Sequence, residues 1–67
     1  MNLETVIDVV FKHFPNKIII YLREKQLFND DINTLKNYSY LENLNVYSYE
    51  YVDKKKKIML IRVIERG

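Results

Sequence analysis

The pattern of hydrophobic and polar positions in the last third of the chain predicts a β-hairpin over residues 45–64. The first arm alternates, so its tyrosines lie on one face of a strand. The second arm, residues 58–64, is apolar at every position except Arg62. The charged run from Asp53 to Lys57 between the arms is typical of a solvated turn. Such a hairpin has two largely apolar faces, and the helices of a small domain can cover only one of them.

The register of the hairpin decides which residues share a face. We favour a three-residue loop at Lys54–Lys56 because it segregates the charges, whereas loops of two or four residues would bring Arg62 among the tyrosines. In the favoured register Glu50 and Arg62 lie diagonally on the other face, within reach of an ion pair. The apolar face then consists of Tyr47 opposite Val63, Tyr49 opposite Ile61, and Tyr51 opposite Met59.

Residues 2–14 are predicted to form an amphipathic helix, because apolar residues recur there at the spacing of one helix face. Asn2 is a candidate N-cap, and Pro15 is expected to end the helix. The apolar positions of this helix are Leu3, Val6, Ile7, Val10 and Phe14.

The middle of the chain is predicted to contain a strand and a second helix. The run Lys17 to Leu22 is rich in β-branched residues and predicts a strand buried on both faces. A helix continuing to Leu27 fits the same run, because periodicity alone does not separate the two for a short apolar segment. The Asn-Asp-Asp sequence at residues 29–31 is typical of a helix start, and this helix is expected to reach about Tyr38.

These elements predict a single small α+β domain over residues 1–67, in the order helix, strand, helix, β-hairpin. It would have a three-stranded sheet with the helices on one face. The alternative, in which the run after Lys17 is helical, is winged-helix-like, with three helices plus a hairpin wing. Residues 30–38 would then be the recognition helix, but its two aspartates are a poor pattern for reading DNA. The predicted core comprises one hairpin face together with Val6, Ile7, Val10, Phe14, Ile18, Ile20, Leu35 and Leu44.

The composition argues against catalysis. The chain has no cysteine and one histidine, and its single glycine is Gly67. Disulfides, thiolate metal sites and glycine-rich phosphate loops are therefore excluded, and His13 has no predicted partner for nucleophilic chemistry. We expect a non-enzymatic protein with no cofactor, no metal and no small-molecule substrate.

Charge and hydropathy are typical of a soluble protein. The formal net charge of +2 is too small to indicate nucleic-acid binding by itself. The longest apolar run, residues 18–22, is far short of the roughly 20 residues that a spanning helix needs, and no signal peptide is predicted. A cytoplasmic location without membrane contact is the expectation. Residues with A/T-rich codons are abundant, which suggests a low-GC genome and a phage or plasmid origin.

The first functional hypothesis is a protein-interaction module that forms a homodimer or binds and modulates a host protein. Tyrosine offers a large contact area at low entropic cost and is enriched in interfaces. The predicted interface is therefore the tyrosine face of the hairpin, which consists of Tyr47, Tyr49, Tyr51, Met59, Ile61 and Val63.

The second hypothesis is a nucleic-acid-binding regulator that contacts phosphates with the tip of the hairpin. The same lysine run also fits a solvated turn whose charge prevents aggregation. The residues predicted for nucleic-acid binding are Lys54, Lys55, Lys56, Lys57 and Arg62.

Overall fold

The computed structural model describes residues 4–35 and 39–65, which form a four-stranded mixed sheet and one α-helix. The elements are α1 (Val6–His13), β1 (Lys17–Leu22), β2 (Lys25–Asp31), β3 (Leu44–Asp53) and β4 (Ile58–Glu65). Short 3₁₀ turns at Ile32–Thr34 and Ser39–Asn43 lie between β2 and β3. The strand order is β2-β1-β4-β3, in which β1 and β4 run parallel and the two outer pairs are antiparallel.

Helix α1 begins with a capping box formed by Thr5 and Asp8. The Thr5 hydroxyl accepts a hydrogen bond from the backbone N–H of Asp8 at 3.2 Å. In return, the Asp8 carboxylate accepts one from the backbone N–H of Thr5 at 3.0 Å. The helix ends at His13, because Pro15 disfavours helical backbone in the residue before it. The predicted helix and its end before Pro15 are confirmed, but the predicted start is wrong, because the helix begins at Val6 with Thr5, and not Asn2, as its N-cap. Asn2 itself lies outside the described residues.

The capping box makes the stability of α1 sensitive to acid. Hydrogen bonds to the charged carboxylate, chiefly from the backbone N–H of Thr5, hold the pKa of Asp8 below its ordinary value of 3.8. A carboxyl whose pKa is lowered by folding stabilises the protein above its unfolded-state pKa. This stabilisation starts to decrease as the pH falls below 3.8. It is lost once the pH has fallen through the pKa that Asp8 has in the folded protein.

We therefore expect Asp8→Asn to lower the free energy of unfolding at neutral pH and to reduce its decrease in acid. Urea unfolding of both proteins between about pH 2 and pH 7 measures the difference. Thr5→Ala, which removes the hydroxyl cap, should cost about 1 kcal/mol at neutral pH. An Asp8→Asn variant with the same pH dependence as the original protein would contradict this account of the cap.

The prediction of a helix beginning at residues 29–31 is wrong. Residues 25–31 form the edge strand β2, which pairs with β1 through a turn at Arg23 and Glu24. Arg23 has a φ of 58°, a conformation for which glycine is the usual residue in hairpin turns. The sequence therefore lacks the glycine that would predict a hairpin turn at this point. In the folded protein, pairing with β1 also overrides the preference of the Asn-Asp-Asp sequence for a helix start.

The predicted fold class is corrected accordingly. The described chain contains one α-helix and four strands, instead of two helices and three strands, and the three-helix winged-helix alternative is also wrong. The strand prediction for Lys17–Leu22 is confirmed, and this strand is central because both β2 and β4 pair with it. Tyr38, the predicted end of the second helix, lies outside the described residues.

The C-terminal hairpin is confirmed, with two β-bulges that alternation does not predict. Its turn contains Lys54–Lys57, one residue more than the favoured loop. An extra residue at Val52 offsets the longer turn, so two of the three predicted pairs form. A second extra residue, Tyr47, places Val46 where Tyr47 was expected. The facing pairs are Tyr51 with Met59, Tyr49 with Ile61, and Val46 with Val63.

The hydrophobic core lies between α1 and one face of the sheet, which we call the core face. Most predicted core residues are buried there, but Phe14 is 67% exposed, which corrects the prediction for this residue. Phe14 follows the helix with left-handed backbone, so the helical spacing no longer places its side chain on the buried side. The buried core residues are Val6, Val9, Val10, Ile18, Ile20, Leu35, Leu41, Leu44, Val46, Met59, Ile61 and Val63.

Candidate functional site

The sheet has a second face, which points away from α1 and which we call the open face. Alternate residues of all four strands contribute to it, as the pairing registers show. None of its described residues is buried, whereas the core-face residues of β1 and β4 are mostly buried. The open face comprises Lys17, Ile19 and Tyr21 of β1, Gln26, Asn29 and Asp31 of β2, Asn45, Ser48, Glu50 and Asp53 of β3, and Ile58, Leu60, Arg62 and Ile64 of β4.

The centre of the open face is apolar, because the central strands carry aliphatic residues on both sides. Ile19 faces Leu60 across the parallel pair of β1 and β4. Ile58 extends this apolar stripe along β4, whereas Ile64, which is 40% exposed, is separated from Leu60 by Arg62. The other three side chains are half-buried by their neighbours in the sheet. A contiguous apolar stripe that remains in contact with water typically marks an interaction surface.

Polar side chains border this stripe on both sides. On the β3 side, Arg62 Nη1 lies 3.5 Å from Glu50 Oε1, the ion pair that the sequence predicts. On the β2 side, the Tyr21 hydroxyl donates a hydrogen bond to Gln26 Oε1 at 3.2 Å. An apolar centre surrounded by a polar rim is the usual anatomy of a protein interface.

Tyr47 lies at one end of the open face. The bulge in β3 turns its side chain out of the core face, and it is 70% exposed. Together with Arg23, Arg62 and Ile64 it lines a shallow hollow of about 200 Å³. Of the residues predicted for the tyrosine-face interface, it is the one whose side chain is mostly available to a partner.

Tyr49 and Tyr51 are half-buried and face the C-terminal end of α1. The Tyr49 hydroxyl lies 3.3 Å from His13 Nε2, and the two ring centroids are 5.1 Å apart. The Tyr51 hydroxyl donates to the backbone carbonyl of His13 at 3.5 Å, which satisfies one of the acceptors left free at a helix end. These contacts hold the end of α1 against the sheet, so both tyrosines have a structural role.

Met59, Ile61 and Val63 belong to the hydrophobic core. Met59 and Ile61 are 0% exposed and Val63 is 2% exposed. A partner cannot contact these side chains while the fold is intact, and the predicted tyrosine-face interface does not fit this placement. The interaction hypothesis therefore moves to the opposite side of the sheet.

The residues predicted for nucleic-acid binding lie in two separate places. Lys54–Lys57 form the exposed turn between β3 and β4. Arg62 lies on the open face four residues beyond Ile58, which is about 13 Å along an extended strand. It pairs there with Glu50, so the structure does not bring Arg62 to the lysine turn.

Neither a metal site nor a membrane-spanning helix is evident in residues 4–35 and 39–65. Within those ranges no group of three or more His, Asp or Glu side chains is placed to hold a metal ion. No described helix combines the length and the apolar character needed to cross a membrane.

Comparison with known proteins does not assign a family. No protein-family model, curated protein or solved structure matches the chain.

Sequence reasoning missed the part of the open face that β1 contributes. The run Lys17–Leu22 predicts a strand buried on both faces, but Ile19 and Tyr21 keep exposed surface. The amino-acid composition of the two central strands does indicate an uncovered sheet face. Two strands apolar on both sides leave more sheet surface than the helices of a small domain can cover.

Proposed function

We propose that this chain is a non-enzymatic protein-interaction module whose open face packs against the open face of a second copy. The aliphatic stripe formed by Ile19, Ile58 and Leu60 supports this proposal, because it is contiguous across the two central strands, and Ile64 adds an exposed aliphatic side chain beyond Arg62. Packing two such stripes together removes apolar surface from water, which is the dominant favourable term in most protein association.

The charges of the open face favour a copy of the same chain over a nucleic acid. Lys17 and Arg62 offset two of the three carboxylates on this face, those of Asp31, Glu50 and Asp53. A two-fold interface places the same patch on both subunits, and a patch that carries both signs in nearly equal number repels itself little. In such a dimer, Arg62 of one copy can also pair with the oppositely charged Glu50 of the other copy across the two-fold axis. A polyanion would instead require an excess of positive charge.

The size of the open face predicts a weak dimer. Four strands about 4.8 Å apart, with about six residues each at about 3.3 Å, give a face of roughly 20 by 20 Å. This area of about 400 Å² is half of the roughly 800 Å² that each partner of a standard specific interface buries, and it is typical of weak, transient association. We expect a dissociation constant in the micromolar range or weaker.

Reversing the Arg62–Glu50 ion pair tests this proposal. Arg62→Glu and Glu50→Arg each place like charges at facing positions of a two-fold dimer. Each should weaken self-association at least about tenfold. The double variant restores opposite charges and is expected to recover most of the affinity. Sedimentation velocity across a range of protein concentrations measures all three variants.

Lys25→Glu is the matched control, because it makes the same change of charge at the turn between β1 and β2, away from the open face. The side chains of Arg62 and Glu50 are 50% and 63% exposed, so the reversals should change folding stability by less than about 1 kcal/mol. A wild type that stays monomeric, or a dimer that the single variants leave intact, would contradict a second copy as the occupant.

A further inference from the structure

Phe14 combines two features that are unusual for a bulky apolar residue. Its backbone is left-handed, with a φ of 49°, a position at helix ends where glycine or asparagine is usual and a bulky residue is rare. Its side chain is 67% exposed and contributes little to the core. Such backbone strain on an exposed aromatic residue points to a role in binding.

A second exposed phenyl ring lies close to Phe14. Phe11 is 64% exposed and precedes Phe14 by three positions. Both residues line one hollow of about 440 Å³, together with Pro15 and Ile32. The two exposed rings therefore lie at the same place, beside the C-terminal end of α1.

Hydrogen bonds anchor the lysine turn to Asn16. The backbone N–H of Asn16 donates to the Lys57 carbonyl at 2.9 Å, and its side-chain amide donates to the Lys56 carbonyl at 3.1 Å. The Asp53 carboxylate accepts a hydrogen bond from the backbone N–H of Lys56 at 3.0 Å. All four lysines of the turn are exposed. The backbone of the turn is hydrogen-bonded to Asn16, which follows Phe14 by two positions in the sequence.

We propose that this aromatic–lysine end, formed by Phe11, Phe14 and Lys54–Lys57, binds single-stranded nucleic acid. The lysine ammonium groups contact successive phosphates, and an unpaired base stacks on the ring of Phe14. Proteins that bind single strands without sequence preference combine these two elements, a positively charged track and aromatic stacking. The site is separate from the open face and does not depend on self-association.

The carboxylates at this end of the sheet favour a single strand over a duplex or an anionic membrane. Asp31 lies opposite Lys17, which itself lies opposite Ile58 at the edge of the lysine turn. A rigid duplex or a flat lipid surface would approach Asp30 and Asp31 as well as the lysines. A flexible strand can follow the lysines and rings alone, and its unpaired bases are free to stack.

Fluorescence anisotropy with a labelled oligothymidylate of about 12 nucleotides, at about 50 mM salt, tests the proposal. Phe14→Asn removes the ring and keeps a residue that tolerates left-handed backbone. It should weaken binding at least about fivefold. The double variant Lys54→Gln, Lys55→Gln should weaken binding and lower the slope of log K against log salt by about 1.4.

Matched controls separate this site from general electrostatic attraction. Arg23→Gln, Lys25→Gln removes the same charge at the opposite end of the sheet and should leave binding nearly unchanged. Circular dichroism establishes that each variant is folded. The proposal is overturned by absence of binding at about 50 mM salt, or by wild-type affinity in Phe14→Asn. Equal losses in the two double variants would also overturn it, as would tighter binding to a duplex of the same length or to phosphatidylserine vesicles.

Discussion

Replacing Ile61 by lysine is expected to unfold the protein. Ile61 is 0% exposed and lies between Ile20 of β1 and Tyr49 of β3 on the core face. Removing a buried isoleucine side chain costs about 2 to 5 kcal/mol, and burying an unpaired ammonium costs several more. The whole stability of a 67-residue domain is roughly 3 to 10 kcal/mol. Far-ultraviolet circular dichroism should therefore show no folded sheet and no cooperative thermal transition.

Ile61→Val is the control for this substitution, because it keeps an apolar β-branched residue at the same position. It should fold and lose only about 0.5 to 1.5 kcal/mol. An Ile61→Lys protein that stays folded and loses only its self-association would mean that the tyrosine face, and not the open face, is the interface. The assignment of the two sheet faces would then be reversed.

Replacing Leu60 by lysine is expected to abolish self-association while leaving the fold intact. Leu60 is adjacent to Ile61 in β4 but lies on the open face, where it faces Ile19 and Glu50. A lysine there keeps its ammonium in water in the monomer, so the folding free energy should change by about 1 kcal/mol or less. In the dimer the same ammonium would be buried in the aliphatic stripe. This should raise the dissociation constant at least about 100-fold.

Leu60→Met is the matched control, because it preserves the volume and apolar character of the stripe. It should dimerise about as well as the wild type. Thermal unfolding checks the fold of both variants, and sedimentation velocity checks their mass. If Leu60→Lys dimerises normally, the stripe is not the contact surface; if it unfolds, Leu60 is covered in a way that the sheet geometry does not show.

The sequence predicts local elements well where a single strong pattern governs them. Helix α1 and its end at Pro15 follow from spacing and from the proline ring. The hairpin follows from alternation and a charged turn. Strand β2 could not be predicted, because its turn places Arg23, and no glycine, at positive φ. Its Asn-Asp-Asp sequence also favours a helix start in isolation, and only pairing with β1 makes it extended.

The candidate site could be predicted only in part, for a reason of long-range geometry. The pattern shows that the hairpin is apolar on both faces. Which face is covered depends on where α1 docks, and α1 contacts β3, a strand far from it along the sequence. The exposure of Tyr47 likewise depends on a bulge, which strict alternation cannot anticipate.

The most direct test of the account is the solution mass of the wild-type protein, measured by light scattering from about 1 µM to about 1 mM. The account predicts that the mass rises from 8.2 kDa towards twice that value within this range. A mass that remains at 8.2 kDa at the highest concentration would contradict the proposal that two open faces pack together.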